Sequence, residues 1–177
     1  MSGYWTELFS TSGATNWLSI STIAARLGMA AVLGALVGLE REWTQRPAGL
    51  RTHILVCLSA ATVAVLTIEI SHLPAFAQES VSIDPVRLVE AVTAGVAFLA
   101  AGVIVFSRGE VHGLTTGAGM WLASAIGLAT GLGFWRIAVL TTLLALAVLW
   151  LLRIFERRFA PDDTKHYRPD NQSESRQ

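Results

Sequence analysis

The chain has 177 residues, 53% of them hydrophobic and only 15% charged, with a formal net charge of zero. A soluble domain of this size is nearer a quarter charged, so this composition and the mean hydropathy of +0.52 point to a lipid environment. The single cysteine, Cys57, excludes an internal disulfide, and basic residues scattered among loops argue against a nucleic-acid partner.

Residues 1–18 read as an extracytoplasmic segment, with Tyr4, Trp5 and Phe9 laid against the outer surface. Residues 1–25 lack Lys and Arg, so they offer no basic n-region of a signal peptide, and no small-residue cleavage pattern follows. Crossing the ~30 Å apolar core of a bilayer takes roughly 17–25 mostly apolar residues. Five windows qualify: about 19–39, 50–70, 86–106, 114–133 and 134–152. Lipid offers the backbone no hydrogen-bond partners, so each is expected to be a helix. The predicted fold class is all-α, a transmembrane bundle over residues 19–158. Asp84 and Pro85 fit the N-cap and first position of the third helix. Residues 159–177 are polar and turn-rich and read as a disordered cytoplasmic tail.

Orientation follows from the basic residues of the short loops. Arg41, Arg46 and Arg51 follow the first helix, Arg108 follows the third, and Arg153, Arg157, Arg158, Lys165, Arg168 and Arg176 lie at the C-terminal end. They outweigh Arg87 and Arg136 on the other side. Five spans then place the N-terminus outside and the C-terminus in the cytoplasm. Trp17, Trp43, Trp135 and Trp150 fall near helix ends, as interfacial aromatic residues do.

Glycines four apart at 34/38, 113/117 and 127/131 mark helix faces where backbones approach closely, within one chain or between subunits of a homo-oligomer. The fourth helix holds the most glycine and is expected at the centre.

Four segments carry a resemblance: GLEREWTQRPAGLRTHILVCLSA, AVTAGVAFLAAGVIVF, VHGLTTGAGMWLASAIGLATGLG and the closing IFERR. Together they are similar to the MgtC/SapB family of bacterial inner-membrane proteins, over about residues 25–158. The resemblance implies a multi-pass inner-membrane protein acting in magnesium and ion homeostasis and stress adaptation. Family members are implicated in growth at low magnesium, survival in phagocytes and regulation of the membrane ATP synthase. Longer members carry a C-terminal ACT-like domain, which this sequence is expected to be without. Ala97 and Ala100 stand where many members have glycine.

Two constellations are candidates for function. On the cytoplasmic side, Glu40, Arg46, Arg51 and His53 lie near Thr115 and Thr116 at the head of the fourth helix. Arginine forks and a helix N-terminus suit an anion such as phosphate, or a partner protein; equally, the arginines can pair with Glu40, Glu42 or lipid phosphate and only set topology. On the outer side, Arg26 within the first helix needs a partner, expected to be Glu90 and after it Glu69. That pairing reads either as a structural salt bridge or as an outward-facing site for a proton or a cation such as Mg2+. His53 and Cys57 share a helix face, but no third ligand accompanies them unless His112 approaches, so a transition-metal site is not expected. No cofactor is implied, and no nucleophile elbow, Walker loop or zincin helix points to an enzyme. Two readings of function follow: a regulator of another membrane complex such as ATP synthase, or a cation transporter or channel.

Overall fold

A computed structural model gives the fold over residues 17–73, 84–107 and 110–159. The expectations for Tyr4, Trp5, Phe9, Arg108, Lys165, Arg168, Arg176 and the tail lie outside these residues. Five helices follow the chain: α1 (Ile20–Trp43), α2 (Leu50–Ser71), α3 (Pro85–Ala101), α4 (Leu114–Gly131) and α5 (Trp135–Phe159). Two short strands, β1 (Val105–Ser107) and β2 (Glu110–His112), join α3 to α4. The fold is an all-α bundle with one small hairpin. By length and composition, α1, α2 and the 135–155 stretch of α5 can cross a membrane. The other two helices are shorter: α3 has 17 residues, about 25 Å of helix, and α4 has 18, its apolar content diluted by Thr, Ser and Gly.

Local chemistry explains most helix ends. Ser19 starts α1 by accepting a 3.2 Å bond from Thr22 N–H. Asp84 caps α3 through Val86 N–H at 2.9 Å, with Pro85 at the first helical position as expected. The third helix stops five residues short of the predicted window. At Gly102 the chain enters a turn, and the β-branched residues beyond it lead into antiparallel pairing, with Val105 opposite His112 and Phe106 opposite Val111. Gly113 then has φ 87°, left-handed backbone that suits glycine, and opens α4.

The centre of the bundle is α4, which packs against all four other helices. Its glycines do what their spacing promised. A Cβ added to Gly127 would run into the Cys57 carbonyl, and one on Gly131 would lie 2.7 Å from the Ala64 Cβ. From the other side, a Cβ on Gly34 would lie 2.8 Å from the Cys57 Cβ, and one on Gly38 would lie 2.7 Å from the Leu50 Cα. Thus α2 is held between two glycine faces, one on α1 and one on α4. The third pair, Gly113 and Gly117, meets Val103 and Ala100 at the end of α3. All three pairs are used inside the chain. Ala30, Leu33, Val37, Cys57, Ala61, Ile126 and Ala138 form the main apolar core.

Candidate functional site

The RPAGLRTH run is first a tight helix–turn–helix. Gln45 and Ala48 take φ of 51° and 58°, left-handed values that reverse the chain in few residues. Glu42, in the last turn of α1, accepts a 2.8 Å bond from Leu50 N–H and so caps α2. Its carboxylate lies over Gly49, where any Cβ would collide with it. The Gly49 carbonyl accepts from His53 Nδ1–H at 3.0 Å. Glu42 and Gly49 are therefore matched, one filling the space the other leaves.

Beside this turn, Arg41 is only 4% exposed. Its Nη2 donates to the Thr115 carbonyl in the first turn of α4 at 2.6 Å, while its Nε has no partner. His53 is fully buried, and its Nε2 also lacks a partner. Since Nδ1 carries the proton donated to Gly49, Nε2 of the neutral ring is an acceptor. Both nitrogens border the space above Gly119: a Cβ there would lie 3.1 Å from His53 Nε2 and 3.7 Å from Arg41 Nε.

From Arg41 a groove of about 750 Å³ opens between α1, α4 and α5. Glu40, Arg46, Thr115 and Arg153 line it along with Arg41, and Glu40 Oε2 is buried without a partner. Of the six residues expected to cluster here, Glu40, Arg46 and Thr115 share this groove. His53 and Thr116 are buried inside the bundle. Arg51 points elsewhere, into a separate groove of about 500 Å³ between α2 and α3. Arg41 is not among the six expected residues, although the sequence carries its signal. Ala30, Gly34, Val37 and Arg41 recur at helical spacing along the buried stripe of α1.

At the opposite end the expected Arg26–Glu90 pair does not form. Arg26 Nη1 instead donates to the Gly131 carbonyl at 2.7 Å. Gly131 ends α4, so its carbonyl lacks an intrahelical partner and marks the negative end of the helix dipole. Gly133, at φ 88°, lets the chain pass close to the guanidinium. Glu90 is exposed on α3. Nor does Glu69 serve Arg26: it accepts from Trp17 N–H at 2.9 Å and Leu18 N–H at 2.8 Å, tying the lead into α1 to the end of α2. Trp17 stacks on His72 at 4.0 Å beside it. A backbone carbonyl gives this part-buried guanidinium an acceptor without burying a second charge, while its Nε stays without a partner.

With this geometry in place, comparison with known proteins gives a consistent answer. A family model described as MgtC family matches residues 27–158. The chain belongs to the MgtC family. It is 36% identical to protein SapB of Bacillus subtilis over 149 residues, covering 83% of this chain and 63% of that relative. It is 36% identical to protein MgtC of Brucella abortus over 137 residues, 77% of this chain and 54% of the relative. Against protein MgtC of Salmonella typhimurium it is 38% identical over 124 residues, 70% and 49% of the two chains. The chain thus matches between about half and two thirds of the length of its curated relatives. No solved structure matches.

In this MgtC-family chain the GLTTGAGMW run becomes the first turns of α4, where Thr115 takes Arg41 and Gly119 leaves the space beside His53. The long conspicuous motifs thus meet in three dimensions around Arg41. His53 and Cys57 are both buried in α2, while His112 is exposed in β2. Among the described residues no three His, Cys, Asp or Glu side chains come together as metal ligands.

Proposed function

We propose that this chain is a multi-pass protein of the bacterial inner membrane, N-terminus outside, acting in magnesium and ion homeostasis and stress adaptation. In this reading it is not an enzyme but a regulator that works by contact with another membrane complex. Membrane ATP synthase is the candidate partner that the family resemblance suggests, and self-association accompanies that role. One observation carries the preference for regulator over transporter: the closeness of packing along α1, α2 and α4, where an added Cβ on Gly34, Gly38, Gly127 or Gly131 has no room. The two arginines of α1 support it, since each is tied to a backbone carbonyl of α4 rather than spaced along a path.

The test is magnesium flux. Purified protein in proteoliposomes with an entrapped Mg2+ indicator is expected to give no protein-dependent uptake. Robust uptake abolished by Glu90→Gln overturns the regulator reading in favour of a transporter. Orientation is checked separately by placing a single cysteine within 165–177, which should be inaccessible from outside intact cells.

A further inference from the structure

Arg41 is placed against the electrostatics of its helix neighbour. It reaches the first turn of α4, the positive end of that helix dipole, and among the described residues no carboxylate is hydrogen-bonded to it. Its Nε remains without a partner in a side chain that is nine-tenths buried and lines the groove. Arg46 and Arg153 line the same groove, and Glu40 is the one carboxylate in its wall among the described residues. Net positive charge and an unmet donor call for an anion. Away from this charged end the walls turn apolar, through Leu122, Leu144, Val148 and Leu152. Leu144, Val148 and Leu152 are each more than half exposed. From Arg153 back to Thr141 the groove follows α5 for about 18 Å, close to the ~15 Å of one leaflet of the hydrocarbon core.

We propose that this groove binds one anionic phospholipid of the cytoplasmic leaflet, its phosphate against Arg41, Arg46 and Arg153 and one acyl chain along α5. Arg41 and Gly119 both line the charged end of the groove, which sets the phosphate beside the Arg41 guanidinium. Glu40 Oε2 accepts from a headgroup hydroxyl, which favours a glycerol headgroup over a choline one. The proposal rests on α1 and α5 crossing the bilayer with this end inside.

The experiment uses the full chain, purified in a neutral detergent, with lipid adducts read by native mass spectrometry after adding phosphatidylglycerol or phosphatidylcholine. Phosphatidylglycerol is expected to be retained and phosphatidylcholine not. Arg153→Gln should weaken retention roughly tenfold, the scale of one charge-assisted hydrogen bond. Ala145→Trp, which fills the apolar wall, should abolish it, and Arg51→Gln in the other groove should leave it unchanged. If Ala145→Trp does not fold, Arg153→Gln carries the test alone. Equal retention of both lipids, or retention indifferent to Arg153→Gln, overturns the proposal. So does inorganic phosphate binding that needs Arg153 but survives Ala145→Trp, which would mark a free-anion site. Full solubility without detergent would overturn both this proposal and the membrane reading beneath it.

Discussion

Arg26 and Arg41 lie about four turns apart on α1, and each donates to a backbone carbonyl of α4, Gly131 for one and Thr115 for the other. The two helices run antiparallel, so the arginines clasp α4 at its opposite ends. The contacts are not equivalent. Arg26 meets the negative end of the helix dipole and has an acceptor that lacked a partner. Arg41 meets the positive end, which is why one arginine is a structural clasp and the other faces a groove suited to an anion.

Replacing Arg26 by Met keeps most of its bulk and removes the donor. The Gly131 carbonyl then loses its partner, at a cost of about 1–3 kcal/mol. We expect a lower thermal midpoint in detergent for Arg26→Met and no change for Glu90→Gln, since Glu90 is exposed. Equal losses from both variants would restore the Arg26–Glu90 salt bridge.

Glycine substitutions should divide by environment. In Gly127→Ala or Gly34→Ala the new methyl meets Cys57, and separating the helices costs about 1–3 kcal/mol. Around Gly28 and Gly95 the space is open, so alanine there should stabilise the helix by about 0.5–1 kcal/mol. Unfolding titrations of the four variants read the split directly.

Helix positions and the central place of α4 were legible because apolar runs and glycine spacing are periodic signals in the chain itself. The caps at Asp84 and Pro85 were legible for the same local reason. The pairing of Arg26 was not, because charge invites a carboxylate partner on paper while an orphan helix carbonyl leaves no mark in sequence. Arg41 was hidden differently: among Glu40, Glu42 and Arg46 it looked like one more loop charge. Only its register with Ala30, Gly34 and Val37 distinguishes it. The 105–112 hairpin was missed because its strands, three residues each, are too short to show a period of two.

Adjacent residues of the α1–α2 turn should respond with opposite signs. Ala48 sits at φ 58°, a conformation glycine adopts without a steric penalty, so Ala48→Gly should be neutral or stabilising by up to about 1 kcal/mol. Gly49→Ala forces the Glu42 carboxylate off Leu50 N–H and removes the cap of α2. Losing such a cap costs about 0.5–2 kcal/mol. Glu42→Ala should reproduce that loss, and the double variant Glu42→Ala/Gly49→Ala should lose little more than either alone, because both remove the same contact. Additive losses would show that the two residues act separately.

Cys57 offers a probe of how the bundle opens. Its side chain is fully buried, facing Gly34 on α1 while its carbonyl faces Gly127 on α4. A membrane-permeant maleimide should therefore label the folded protein very slowly and the SDS-unfolded protein at once. Labelling of the folded form must pass through local opening of the α1–α2 or α2–α4 contact. Gly34→Ala and Gly127→Ala, which wedge those contacts apart, should each speed labelling at temperatures below the thermal midpoint. Gly95→Ala, in open space on the groove between α2 and α3, should leave the rate unchanged. Rapid labelling of the unsubstituted protein would mean that α2 is not held between two glycine faces in the membrane.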